Sequence, residues 1–159
     1  MSLNKRFILV DGSSLLYRAF YALPLLTAAN GEYTNAVYGF ATMLQKLMEE
    51  HKTEYLVVAF DKGKHTFRNE IFPEYKGTRK ATPPELSGQI PILHEFLAAM
   101  GISLVEEQGY EADDILGALA VKAADKGFDR DGRPGRFAAR TSQYSRYVHT
   151  KRYIGSSYL

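Results

Sequence analysis

Short aliphatic runs alternate along this chain with longer stretches in which apolar residues return every third or fourth position. Arg6-Phe-Ile-Leu-Val10 is the first such run, a buried strand by its content, and Asp11-Gly12 stops it. Ser13 or Ser14 is placed to cap a helix that continues to about Leu23, just ahead of Pro24. Residues 25–33 contain Asn30-Gly31 and read as a loop. A second helix starts at Thr34, where Val37, Phe40, Leu44, Leu47 and Met48 make one apolar stripe. Tyr55-Leu-Val-Val-Ala-Phe60 is the second buried strand, ended by Asp61. After residues 62–84, where apolar periodicity is lost, a helix resumes near Glu85. Its inward positions are Ile90, Leu93, Phe96, Leu97 and Met100, Pro91 interrupts it, and Gly101 closes it in a left-handed conformation. Residues 102–105 form the third strand. The next helix runs from Glu111 to about Lys126, with Ile115, Leu119 and Ala118 on its buried side and Gly127 as its stop.

Strands that alternate with helices predict an α/β fold with a parallel sheet and flanking helices. At 159 residues there is room for one domain with a real core. Hydrophobic residues at 45% and charged residues at 24% exclude a disordered or collagen-like chain. There is no cysteine, which rules out disulfides and thiolate metal sites and suits a reducing cytoplasm. The apolar run before Asp11 is too short for a signal peptide or a membrane span, so no membrane association is expected.

The formal charge of +2 conceals two unlike parts. Residues 1–129 carry 13 Lys and Arg against 17 Asp and Glu, whereas residues 130–159 carry 7 against 1. Basic usage also changes from mostly lysine to mostly arginine, and no fourth strand is legible after Gly127. Residues 1–129 are therefore expected to form the domain. Residues 130–159 read as an atypical basic tail, out of frame or disordered, although a genuine nucleic-acid-binding tail gives the same counts.

The acids are placed with more regularity than composition requires. Ligands of an open parallel sheet bind beyond the carboxyl ends of its strands. Asp11 and Asp61 each follow a strand, and Glu111, Asp113 and Asp114 open the helix after the third. Carboxylates that converge there repel one another unless cations neutralise them, and hard ions such as Mg²⁺ or Mn²⁺ take oxygen ligands. Two such ions roughly 4 Å apart can activate water and stabilise a leaving oxygen in phosphodiester hydrolysis. A capping role explains each acid taken singly; the three strand ends taken together favour metal.

Directly after Asp61, the residues Lys62, Lys64, His65, Arg68, Lys76, Arg79 and Lys80 are interleaved with Phe67, Phe72 and Tyr75. Cations that track phosphates and aromatics that stack on bases would grip single-stranded nucleic acid, and Arg18 could meet a phosphate or pair with an acid.

Several of these segments fall into one order. Leu9-Val-Asp-Gly-Ser-Ser-Leu-Leu-Tyr-Arg-Ala-Phe-Tyr21, Thr34-Asn-Ala-Val-Tyr-Gly39, Val58-Ala-Phe-Asp61, Thr66-Phe-Arg68, Tyr75-Lys76 with Arg79, and Gly109-Tyr-Glu-Ala-Asp-Asp-Ile115 resemble the 5′-nuclease domain at the N-terminus of bacterial DNA polymerase I over residues 5–129. They also resemble the wider flap endonuclease family, whose fold is PIN-like. The resemblance implies a PIN-like, Rossmann-like α/β fold, incomplete at its C-terminus. It also implies metal-dependent 5′-3′ exonuclease or flap endonuclease activity on DNA with a 5′ end or flap, in replication and repair. It places Asp11, Asp61, Glu111, Asp113 and Asp114 at the metal ligands of a Mg²⁺ or Mn²⁺ site. Lys76 and Arg79 fall at catalytic basic positions of a helical gateway. Arg18, Lys62, Lys64, Arg68, Tyr75 and Lys80 join them as DNA-binding residues. The family's Thr-Gly-Asp-x-Asp motif, two later acids and a helix-hairpin-helix element are not found in this sequence. That leaves the second metal position incomplete and implies impaired hydrolysis.

Two other readings compete. One is a non-catalytic DNA-binding module derived from the nuclease, whose binding would survive chelation. A strand-Asp phosphatase would need an acid two residues beyond Asp11, where Ser13 stands, and no phosphate-binding Gly-rich Lys-Ser/Thr loop exists.

Overall fold

Strand content and alternation place the sheet where the sequence predicts it. In the computed structural model, which describes residues 7–51, 55–63, 74, 81–125 and 148–151, β1 (Phe7–Asp11), β2 (Tyr55–Lys62) and β3 (Ser103–Gln108) run parallel. Their order is β3-β2-β1, with Phe7 opposite Tyr55 and Val57 opposite Ser103. All three carboxyl ends therefore lie on one edge.

The period of two in each strand divides the core into two layers. Ile8, Val10, Leu56, Val58 and Phe60 face one side, packed by Leu15, Leu16, Ala19 and Phe20 of α1 (Gly12–Ala22) and by Phe40 and Leu44 of α2 (Asn35–His51). Leu86 of α3 (Pro84–Ser87) and Leu93 and Leu97 of α4 (Gln89–Ala99) complete that layer. On the other face Leu9 and Ala59 meet Ala112, Ile115, Leu116 and Ala120 of α5 (Ala112–Asp125).

Gly12 is needed at the first turn of α1 because the helix starts against β2. A Cβ there would stand 2.6 Å from Val58 Cγ1 and 2.7 Å from Phe60 Cζ. Gly101 has φ 67°, the left-handed turn expected after α4.

A buried polar hub ties the helices together. Gln89 Oε1 accepts the amide hydrogens of Ala36 at 2.7 Å and Val37 at 3.2 Å, which belong to the otherwise unsatisfied first turn of α2. Gln89 Nε2 donates to Asn35 Oδ1 and to the Glu85 carbonyl, and Asn35 Nδ2 donates to the Phe20 carbonyl. Thr34 precedes α2, but its hydroxyl turns back to the Leu26 carbonyl. The cap of α2 is thus supplied by a side chain 53 residues away.

Several local expectations are corrected. The cap of α1 is Asp11 rather than Ser13 or Ser14, because its carboxylate, at the residue just before the helix, already reaches the Ser14 amide. β2 continues through Asp61 and Lys62, held by pairing with Glu107 and Gln108 of β3. The helix expected from Glu85 is two: Gly88 makes the break, while Pro91 sits in the first turn of α4, where a missing N–H costs nothing. Met100 is 53% exposed, since α4 ends at Ala99. Ala118 is exposed, and Leu116 and Ala120 take the buried positions of α5.

The tail supplies a strand the hydrophobic pattern did not announce. β4 (Val148–Lys151) pairs antiparallel with β1, Val148 opposite Val10 and Lys151 opposite Phe7. An open strand edge offers backbone donors and acceptors whatever the side chains of its partner, so pairing needs no apolar stripe. Residues 130–147 and 152–159, with Lys126 and Gly127, lie outside the described residues. No helix among the described residues is long and apolar enough to cross a membrane.

Candidate active site

Beyond the carboxyl edge of the three parallel strands lies a crevice of about 420 Å³. Asp11, Asp61, Glu111 and Asp113 line it, together with Ser13, Ser14, Tyr17 and Tyr21 of α1 and Ala81 and Pro83 of the segment before α3.

Asp11 and Asp61 are each held by a hydrogen bond from the helix that follows a strand. Asp11 ends β1 and caps α1: its Oδ1 accepts the Ser14 amide at 2.9 Å and its Oδ2 accepts the Ser14 hydroxyl at 2.8 Å. Only 6% of its surface is exposed, and this burial pushes its carboxyl above the usual range. The Ser14 hydrogen bonds oppose that rise, and the charges of Asp113 and Asp61 add to it. Asp61 is exposed near the end of β2. Its Oδ1 accepts the Ala112 amide at 2.6 Å, so it also caps α5 from another strand. Its own amide donates to Ser13 Oγ at 2.9 Å. Two acids and one serine thus stitch β1, β2, α1 and α5 around the crevice.

Asp114 is turned differently. Its Oδ2 accepts the Glu111 amide at 3.0 Å, half of a capping box, and it does not line the crevice. Of the five acids singled out by sequence, four share the crevice and the fifth secures the turn that carries Glu111. The donors are all hard oxygens, and the mutual repulsion felt at Asp11 is what a cation would relieve. Among the described residues, however, no three acids or histidines are gathered about one point.

The expected DNA-binding residues are only partly within view. Lys62 forms an ion pair with Glu106 at 3.3 Å across β2 and β3, both partly exposed. Arg18 is half-buried on α1 and is not among the residues lining the crevice. Lys64, Arg68, Tyr75, Lys76, Arg79 and Lys80, with His65, Phe67 and Phe72, lie outside the described residues. Tyr17 and Tyr21 were not singled out as site residues by sequence. The spacing of Asp11, Ser14, Tyr17 and Tyr21 places them along one side of α1, and this was the available signal. The Tyr17 hydroxyl lies 2.6 Å from the Thr82 hydroxyl, joining the crevice wall to the segment before α3.

A family model described as "5'-3' exonuclease, N-terminal resolvase-like domain" matches residues 6–131. The chain belongs to this family. It is 55% identical over 129 residues to DNA polymerase I of Bacillus subtilis, covering 81% of this chain and 15% of that one. It is 46% identical over 124 residues to a 5′-3′ exonuclease of Aquifex aeolicus, covering 78% of this chain and 43% of the relative. Among solved structures it is similar to T5 5′-exonuclease with bound zinc ions, at 27% identity and a TM-score of 0.52, over 74% of this chain and 44% of that one. The chain thus has the PIN-like α/β fold that its motifs implied. The chain spans about one-seventh of the length of its DNA polymerase relatives.

Proposed function

We propose that this chain is a divalent-metal-dependent 5′-3′ exonuclease or flap endonuclease module that hydrolyses DNA phosphodiesters at a 5′ end or flap, in replication and repair within the cytoplasm. The observation that carries this reading is the crevice at the carboxyl edge of β1, β2 and β3, which four carboxylates from three separate segments line in a member of a 5′-3′ exonuclease family.

Asp11, Asp61, Glu111 and Asp113 would hold Mg²⁺ or Mn²⁺, with the second of two metal positions incomplete. Such ions, when bound, make water a better nucleophile at neutral pH and stabilise the departing oxygen. The chain's own groups supply position. Ser14 fixes both oxygens of Asp11, Asp61 is anchored through Ala112 and Ser13, and Asp114 holds the turn bearing Glu111. Lys76 and Arg79 would meet the scissile phosphate, and Lys62, Lys64, Arg68, Tyr75, Lys80 and Arg18 the strand that carries it.

Incubation with a 5′-labelled flap oligonucleotide in Mn²⁺ is expected to release short 5′ fragments. Chelation or Asp113→Asn should abolish that release. The dispersed arrangement of the acids favours a second reading, a non-catalytic DNA-binding module. Oligonucleotide retained in chelator, with no cleavage in Mn²⁺ at excess protein, would decide for it.

A further inference from the structure

Ser13 lines the crevice together with Asp11 and Asp61. The close start of α1 against β2, which Gly12 permits, brings its side chain to the end of the neighbouring strand. There Oγ accepts the amide hydrogen of Asp61 at 2.9 Å. A serine hydroxyl has one proton to give and two lone pairs to receive. With the Asp61 amide on one lone pair, the proton has no acceptor among the described residues. Ser14, one residue on, is committed through both its amide and its hydroxyl to Asp11. The Tyr17 hydroxyl is paired with Thr82.

Apart from the Tyr21 hydroxyl, the remaining polar side chains that line the crevice are carboxylates, which repel an anionic oxygen. A neutral O–H attracts one, and Ser13 lines the same crevice as the four acids. We infer that Ser13 is a further substrate-contacting residue: while its Oγ holds Asp61 through the backbone, its proton is donated to a non-bridging oxygen of the phosphodiester. The inference rests on the proposed nuclease reading and deepens it by naming a neutral contact to the phosphate.

The test compares the parent chain with Ser13→Ala and Ser13→Thr. Three quantities are measured: Mn²⁺ affinity by calorimetry, melting temperature, and the Kd of a 5′-phosphorylated oligothymidylate in Ca²⁺ by fluorescence anisotropy. Alanine should weaken oligothymidylate binding by about 3- to 10-fold, the worth of one hydrogen bond to an anion in a wet site. Mn²⁺ affinity and melting should fall by a smaller factor than oligothymidylate binding, because Asp61 keeps its Ala112 anchor and water can replace Oγ at the exposed Asp61 amide. Threonine, which keeps the hydroxyl, should restore parental binding. Unchanged oligothymidylate affinity in Ser13→Ala, with Mn²⁺ still bound by the parent, would overturn the inference and leave the nuclease reading standing. A loss shared equally by Mn²⁺ affinity and melting, and not restored by threonine, would make Ser13 structural only and overturn it as well. A parent that binds neither Mn²⁺ nor oligothymidylate would remove the nuclease reading and this inference together.

Discussion

Replacing Gln89 by methionine would keep the volume of a fully buried side chain and remove the hub that joins four helices. Two amide hydrogens in the first turn of α2, those of Ala36 and Val37, would lose their acceptor, and Asn35 Oδ1 and the Glu85 carbonyl would lose a donor. Leaving a buried polar group without a partner costs about 1–3 kcal/mol, and losing a helix cap about 1 kcal/mol. Val37 is only partly buried and accepts some hydration, so the expected loss is about 3–4 kcal/mol. For a domain of this size that lowers the melting temperature by roughly 8–15 °C. Asn35→Ala removes a shared bond, so the double variant should fall short of the sum of the two single effects by about 0.5–1.5 kcal/mol. Urea titrations of the four proteins measure all of this. A loss below about 1 kcal/mol for Gln89→Met, or strict additivity, would refute the assignment of Gln89 as the cap of α2.

Asp11→Asn keeps an acceptor for the Ser14 amide and removes the buried charge. Because the folded carboxyl sits above its ordinary value of 3.8, the parent's stability from Asp11 is complete below that value and is lost as pH rises through the folded one. In chelated buffer Asp11→Asn should therefore melt above the parent at neutral pH, with the gap closing in acid; a gap that widens in acid would contradict this. Gly12→Ala puts a methyl where Val58 and Phe60 already lie, so a loss of about 1–3 kcal/mol is expected in denaturant melts, and a neutral result would mean the α1 start can shift freely. Removing residues 130–159 uncovers the β1 edge and should cost about 1–3 kcal/mol; an unchanged melt would show that β4 contributes nothing and return the tail to a segment foreign to the fold.

The parallel sheet and the segments bearing the acids were legible because their signals are local. An aliphatic run ending in Asp11 or Asp61 names both a strand and the edge at which it stops. The hub was not legible, since Gln89 looks like any polar residue near a helix start, and only folding brings it to Ala36. Ser13 was hidden for a related reason: its partner, the Asp61 amide, lies 48 residues away. Asp114 was read with the crevice acids because helical spacing puts it near Glu111, yet spacing cannot say whether a carboxylate faces a cleft or turns back to an amide. β4 escaped notice because antiparallel pairing at an open edge asks little of side-chain pattern.

The central claim is that four carboxylates from three separate segments act as one divalent-ion site. Calorimetric titration of Mn²⁺ into the parent and into the Asp11→Asn, Asp113→Asn double variant tests it most directly, since both substitutions preserve side-chain shape and remove only charge. Saturable binding by the parent and none by the variant at the same concentrations is the expected result. Identical isotherms for the two proteins, or no heat of binding in the parent, would contradict it.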